Sequence, residues 1–198
     1  MRLSKRLFDL FWTILGLIIL WPLFLLIAVL IKLDDGGPVF YRQIRAGYKG
    51  KPFRVWKFRT MVVDADKMGR PLTVGRDPRI TRVGKWLRKL KLDELPQLFN
   101  VLVGEMSLVG PRPEVFAYVE RYSEKQREVL GLMPGITDPA SIIFRNENEI
   151  LAQANNPEQT YVKEIMPEKL RINLEYSKEA TLWSDFITIL KTIFKLLH

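Results

Sequence analysis

The run from Leu10 to Ile31, LFWTILGLIILWPLFLLIAVLI, carries no charge and few polar side chains. As a straight helix it is about 30 Å long at about 1.5 Å per residue, the thickness of a bilayer's hydrocarbon core. It is too long for a signal-peptide core, and no small-residue cleavage site follows it. A single spanning helix is the plain reading. Pro22, at the midpoint, argues for a kink, because it lacks an N–H and its ring crowds the preceding turn. Both flanks are basic as well, with Arg2, Lys5 and Arg6 before the run and Lys32, Arg42, Arg45, Lys49 and Lys51 after it. A spanning helix carries its positive flank on the cytoplasmic side only. A segment that dips in and returns to one face satisfies both features, and the pattern alone leaves the two topologies open.

Asp34-Asp35-Gly36-Gly37-Pro38 ends the apolar run as a turn. Pro38–Arg45 and Pro52–Met61 are rich in Val, Phe, Tyr and Trp, and the turn between them at Gly47–Lys51 predicts a β-hairpin. Residues 64–78, with Gly69, Pro71, Gly75 and Pro78, read as an exposed loop. Helical periodicity covers Lys85–Val103, with Asp93 and Pro96 marking a second start inside it. Further helices are predicted over Glu114–Leu132, Asn146–Ala154 and Glu164–Lys178. In the last segment Trp183, Phe186, Ile187, Leu190, Ile193, Phe194 and Leu197 share one helical face, opposite Ser184, Asp185, Thr188, Lys191 and Lys195. This predicts either a terminal helix packed on the core by its apolar face or one lying in a bilayer interface.

Composition narrows the chemistry. The 198 residues, with a formal net charge of +9, suit one domain with accessories and an anionic partner: nucleic acid, an anionic membrane or a phosphorylated substrate. There is no Cys, and the one His is His198 at the terminus. Thiol nucleophiles, disulfides, His-ligated zinc and Ser-His-Asp triads are thereby set aside, leaving carboxylates, Lys, Arg, Ser and Tyr. Neither G-x-G-x-x-G nor a Walker loop occurs, so anion binding falls to side-chain cations.

Those cations cluster at Lys57-Phe58-Arg59, at Asp77-Pro78-Arg79-Ile80-Thr81 with Arg82 and Arg88, and at Gly110-Pro111-Arg112-Pro113. Most of the 31 Lys and Arg residues are solvated surface charges. Arg112 differs, because a proline on either side fixes its backbone and lowers the entropy lost in a bidentate phosphate contact. Among these cations sits one acidic pair, Asp93-Glu94. Asp93 followed by Glu94-Leu95-Pro96 is expected to cap a helix. Beside Arg88 and a helix N-terminus its pKa is expected to fall, giving an ionised nucleophile or metal ligand. Adjacent helical side chains point about 100° apart, so the two carboxylates are expected to take different roles.

Lys57-Phe58-Arg59-Thr60-Met61, Asp77-Pro78-Arg79-Ile80-Thr81, Leu92-Asp93-Glu94-Leu95-Pro96-Gln97, Met106–Pro113 and Pro134-Gly135-Ile136-Thr137 together resemble the bacterial sugar transferase family. These are the monotopic phosphoglycosyl transferases that start cell-surface glycan assembly. The resemblance runs in order from Lys5-Arg6-Leu7-Phe8-Asp9 to the terminal helix, and the length is that of the family's minimal form. It implies transfer of a sugar phosphate from a UDP-sugar to membrane polyprenyl phosphate with release of UMP. It further implies Mg²⁺, a two-step covalent mechanism, and a re-entrant helix broken at a Ser-Pro pair. Here that pair is Trp21-Pro22, so the proline matches and the serine does not. After Thr137 the family's Gly-x-Ala-Gln-Val-x-Gly-Arg is replaced by Asp138–Phe144, and only Arg145 keeps its place.

The expected fold class is α+β and mostly helical, with a re-entrant N-terminal membrane helix, a small β-hairpin and interfacial amphipathic helices. The expected parts are residues 1–35 (membrane helix), 36–181 (cytoplasmic catalytic domain) and 182–198 (amphipathic terminal helix). Asp93 is expected to attack the sugar-bearing phosphate, and Glu94 to hold Mg²⁺ together with it. Arg112 and Arg88 are expected to grip the diphosphate, with Arg79, Lys57, Arg59 and Arg145 as further candidates. The partners are a UDP-sugar, polyprenyl phosphate and the bacterial inner membrane at its cytoplasmic face, without nucleic acid, and a homo-oligomer is left open. The competing readings are a membrane-tethered basic module that binds nucleic acid or anionic lipid without chemistry, and a hydrolase of lipid-linked phosphates.

Overall fold

A computed structural model describes residues 2–65, 68 and 77–197, with side chains through residue 195. Most of the loop expected over 64–78 lies outside the described residues, as do the Leu197 side chain and His198. The fold is α+β and mostly helical, as the pattern predicts.

Helix α1 runs from Leu3 to Asp35. Pro22 lies inside it and does not end it, so the helix continues past the one backbone bond that proline cannot make. Gly36, at φ 72°, closes it by donating to the Lys32 carbonyl. One stripe of α1 is covered by protein along its whole length. Phe8, Leu17 and Leu20 pack on a cluster formed by Leu98, Val101 and Met106. Farther along, Ile27 and Ile31 pack with Phe58 and Leu87. Arg6 donates to the carbonyls of Val101 and Leu102. The opposite face, including Phe11, Ile18, Ile19, Trp21 and Leu26, is exposed.

The predicted hairpin is present as β1 (Phe40–Ala46) and β2 (Pro52–Phe58), antiparallel with Phe40 opposite Phe58 and Ala46 opposite Pro52. Helix α2 (Arg82–Lys89) follows the undescribed loop, and Thr81 caps it through the Gly84 N–H. The helical stretch read over Lys85–Val103, with a second start at Asp93 and Pro96, is three pieces: α2, a 3-10 turn at Leu92–Glu94 and α3 (Gln97–Val103). Lys91, at φ 55°, makes the division. A non-glycine residue in the left-handed region carries strain and ends the preceding helix.

The chain then forms β3 (Ser107–Val109), which pairs in parallel with β4 (Gly135–Thr137), a small sheet that the hydrophobic pattern did not signal. Gly110 lies so close to β4 that an added Cβ would sit 2.2 Å from the Met133 carbonyl oxygen. The helix read over Glu114–Leu132 is three short pieces: α4 (Phe116–Val119), α5 (Glu124–Arg127) and a 3-10 turn at Glu128–Gly131. A capping box between Ser123 and Gln126 starts α5 afresh and so breaks the run. Short helices α6 (Pro139–Ile143), α7 (Glu147–Gln153) and α8 (Pro157–Thr160) lead into a π-helical turn at Tyr161–Ile165 and then α9 (Met166–Glu179).

Of the two placements expected for helix α10 (Leu182–Leu197), packing of its apolar face on the core is not the one observed. Asp185 and Thr188 are buried, while Trp183, Leu190, Ile193 and Phe194 are exposed. The polar edge turns inward because it is partnered there. Asp185 takes Lys5 at 2.8 Å and the Tyr176 hydroxyl at 2.6 Å, and Thr192 meets Thr137 at 2.6 Å. Lys5 also binds Asp9, which is fully buried in α1. Helices α1 and α10 thus meet through a polar seam and turn apolar surfaces outward, the arrangement of a surface that faces something other than water.

Candidate active site

The eight cations and carboxylates singled out in the sequence, Lys57, Arg59, Arg79, Arg88, Asp93, Glu94, Arg112 and Arg145, all line one open cleft of about 1160 Å³. Pro22 lies away from it, in α1.

At its centre Glu94 is gripped from two sides. The Arg112 guanidinium donates to both carboxylate oxygens, one bond measuring 2.8 Å, and Lys57 Nζ donates at 3.0 Å. Arg112 is placed by β3 and β4: Gly110 N–H donates to the Thr137 carbonyl and Gly135 N–H to the Pro111 carbonyl, both at 3.0 Å. With Pro111 and Pro113 on either side, its backbone has little freedom left. Lys57 comes from the end of β2. That strand is fixed to α3 by fully buried Asn100, which accepts from Trp56 N–H at 2.9 Å and donates to the Arg54 carbonyl at 2.8 Å and to Glu105 at 2.7 Å.

Asp93 is buried in the 3-10 turn, and its carboxylate accepts no hydrogen bond among the described residues. The expected helix cap is absent. Helix α3 starts only at Gln97, with Pro96 at its cap position, so the helix N-terminus does not reach Asp93. The expected fall in pKa is reversed too: burial and then the adjacent Glu94 charge push Asp93 above the ordinary carboxylate range, against Lys57, Arg88 and Lys91. Burial pushes Glu94 up as well, but Arg112 and Lys57 outweigh it and hold Glu94 well below that range. The sequence predicted two different roles for the pair. The structure separates the two residues by their donors: Glu94 has three and Asp93 has none.

The remaining cations divide by what they already hold. Arg88 projects from α2, with Nε on the Thr60 hydroxyl at 2.8 Å, and burial lowers its pKa. Helix α2 is pressed against that segment: a Cβ on Gly84 would lie 2.1 Å from the Thr60 carbonyl oxygen. Arg59 is buried and paired with Asp35 at the end of α1. Arg79 forks onto Asp77, with its closest contact at 2.6 Å. Arg145 is exposed at the cleft and forms no ion pair among the described residues. Lys57, Arg88 and Lys91 lie near enough to Asp93 to act on its charge, and Arg112 reaches the same cleft while bound to Glu94. The sequence reading missed Asn100, as well as Glu114, which holds Arg45 at 3.3 Å and the Tyr161 hydroxyl. Glu114 directly follows the Arg112 turn, the one signal that pointed to it.

Among the described residues no cluster of three or more acidic, His or Cys side chains is poised to bind a metal. A Mg²⁺ ion in this cleft would be held by the Asp93-Glu94 pair. Asp93 offers hard oxygens without competing donors, and Glu94, with three of about four lone-pair sites taken, keeps one. Mg²⁺ is commonly held by one or two carboxylates together with phosphate oxygens and water.

A family model described as bacterial sugar transferase matches residues 1–198. The chain is 40% identical over 199 residues to the UDP-glucose:undecaprenyl-phosphate glucose-1-phosphate transferase of Escherichia coli (strain K12), covering 98% of this chain and 40% of that protein. It is 37% identical over 195 residues to the UDP-N-acetylgalactosamine-undecaprenyl-phosphate N-acetylgalactosaminephosphotransferase of Aeromonas hydrophila, covering 96% and 42%. Against the exopolysaccharide production protein ExoY of Sinorhizobium fredii (strain NBRC 101917 / NGR234) it is 37% identical over 206 residues, covering 96% and 84%. The chain thus spans about two fifths of the first two relatives and most of the third.

Proposed function

The chain belongs to the bacterial sugar transferase family, and from that premise we propose that it transfers a sugar phosphate from a UDP-sugar to membrane polyprenyl phosphate, releasing UMP. The observation that carries this reading is Asp93: a buried carboxylate without donors, beside a carboxylate clamped by two cations, in a cleft lined with Arg and Lys. An Asp93 oxygen attacks the sugar-bearing phosphorus, and the bond to the oxygen bridging the two phosphates breaks. UMP leaves with that electron pair. A phosphate oxygen of the polyprenyl phosphate then attacks the same phosphorus, the acyl–phosphate bond breaks and the Asp93 carboxylate returns.

A carboxylate approaches a diphosphate only where positive charge offsets their repulsion. Arg88 and Arg112 supply it on the phosphate oxygens, while Lys57 keeps Glu94 in place. Mg²⁺ held by Asp93 and Glu94 would neutralise further phosphate charge. The raised proton affinity of Asp93 reflects an anion with little solvation and no donors, and such an anion is reactive towards phosphorus.

We further propose a re-entrant arrangement of α1 at the cytoplasmic face of the inner membrane, although the helix runs unbroken past Pro22. A spanning helix needs about 20 residues sheathed in lipid. Here residues near both ends, Arg6 and Ile31, contact the same folded body. The outward apolar faces of α1 and α10 suit a bilayer interface. The product, a lipid-linked sugar diphosphate, is the starting unit for surface glycan assembly.

The test is mass spectrometry of the full chain mixed with a UDP-sugar and no acceptor. A phospho-sugar is expected on the peptide holding Asp93, with none in Asp93→Asn. An adduct retained by Asp93→Asn would move the nucleophile elsewhere. Because the chain has no Cys, single-cysteine labelling reads topology directly. Labelling of position 2 from outside the cell would overturn the re-entrant arrangement.

A further inference from the structure

Beyond Arg112 the cleft changes character. The side formed by α2 and the end of β2 brings Arg88 and Lys57, both partly buried, to the cleft. The wall carried by α7 and α9 holds one charge pair, with Glu147 bound to Lys169 at 2.7 Å. This wall continues directly from the phosphate site, since Glu147 lies near enough to Arg112 to favour its charged form. One helical turn after Lys169 comes Asn173, on the same face of α9 and at the cleft. Asn173 is 5% exposed, and its buried Oδ1 has no hydrogen-bond partner among the described residues. A buried amide oxygen without a donor costs about 1–3 kcal/mol, and folded proteins keep few of them. Helix α9 also starts from the π-helical turn at Tyr161–Ile165, an irregularity that recurs at functional sites.

We propose that this wall is the subsite for the donor's sugar ring, and that Asn173 reads the sugar by accepting a hydrogen bond from one of its hydroxyl or amide N–H groups. The inference rests on the donor being a nucleotide diphospho-sugar. A phosphate would meet the Glu147 carboxylate here, and the cation beside that carboxylate, Lys169, is already paired with it. A neutral, polyhydroxylated ring instead finds a donor and an acceptor in the Lys169–Glu147 pair, and in Asn173 an acceptor that the fold leaves unused. The position agrees with the chemistry. The sugar is bonded to the phosphate under attack, so its ring must lie next to Arg112, while the nucleotide extends from the other phosphate towards the cationic side. A site that hydrogen-bonds a substrate group discriminates against analogues lacking it far more strongly than an apolar pocket does. Asn173 is therefore a specificity-determining residue.

The experiment measures UMP release by the full chain, in detergent with undecaprenyl phosphate and Mg²⁺. The donors are UDP-glucose, UDP-galactose and their N-acetylhexosamine counterparts. Asn173→Leu, close in volume, is expected to lower kcat/KM for the preferred sugar by about tenfold or more and to flatten the ranking of donors. Inhibition by UDP should stay within about twofold, because UDP lacks the sugar. If leucine prevents folding, Asn173→Ala removes the acceptor oxygen without adding an apolar branch, and it carries the same test. An unchanged ranking with unchanged kcat/KM overturns the subsite. A loss of UDP inhibition equal to the loss for the donor overturns it in favour of a nucleotide contact. No UMP release by the unaltered chain from any donor overturns the proposed function and this inference together, whereas the first two results leave that function standing.

Discussion

Replacing Glu94 by Gln tests whether the acidic pair is built as two unlike groups. Glu94 accepts three charge-assisted hydrogen bonds, two from Arg112 and one from Lys57. Each such bond contributes about 1.5–3 kcal/mol. Glutamine keeps one acceptor oxygen but turns an NH₂ group towards a donor and removes the charge that both cations face. Water takes over part of the loss at Arg112, whose side chain is 34% exposed, and less at Lys57, at 18%. The net cost is about 3 kcal/mol, a Tm drop of about 6–12 °C for a chain of this size. Asp93→Asn should behave in the opposite way, because it removes a buried charge without donors and relieves the repulsion on Glu94. Its Tm should match or exceed that of the unaltered chain although turnover is lost.

The assay is thermal unfolding in detergent and metal-free buffer, followed with pH. Glu94, held below its ordinary value of 4.5, contributes stability above that pH, and the contribution is lost as pH falls through its lower folded-state value. The Glu94→Gln deficit should therefore shrink on acidification below about 4.5. Asp93, raised, has the opposite sign: its contribution is favourable at low pH and is lost as pH rises through its folded-state value. The advantage of Asp93→Asn should accordingly grow with pH. A Glu94→Gln Tm within about 2 °C of the unaltered chain would refute the clamp. An equal Tm drop in both variants would refute the asymmetry.

Arg112→Lys keeps a charge but cannot span both Glu94 oxygens, so UMP release should fall at least about tenfold, and full turnover would place the anion grip elsewhere. Asn100→Ala strands the Trp56 N–H and the Arg54 carbonyl and opens a cavity, for a loss of about 3 kcal/mol by denaturant titration; a loss under about 1 kcal/mol would show that Asn100 does not join α3 to β2. Gly84→Ala should lower both Tm and turnover, since its methyl would push α2, and Arg88 with it, away from Thr60; unchanged donor kinetics would mean that Arg88 does not need this placement. Chelation with EDTA should abolish UMP release, and added Mg²⁺ should restore it; turnover in EDTA would remove the metal from the site.

Much of this protein was written locally. The uncharged run of α1, the strand-rich segments around Gly47–Lys51 and the single acidic pair among cations are features of composition and short-range pattern. They placed the long helix, the hairpin and the cleft residues without any contact map. Sequence could not decide what depends on partners far along the chain. Asp93 reads as a helix cap because Asp followed by Pro three residues later is a capping pattern, but a left-handed Lys91 and the packing of α2 turn that segment into a 3-10 turn. Its carboxylate is therefore buried and its proton affinity rises. Likewise α10 shows an apolar face that periodicity leaves open between the core and a bilayer interface, whereas Lys5, Tyr176 and Thr137 draw its polar edge inward. Periodicity reports that a helix has two faces. Which face turns inward is set by the hydrogen-bonding and charged groups waiting on the neighbouring elements, and only the tertiary structure brings those together.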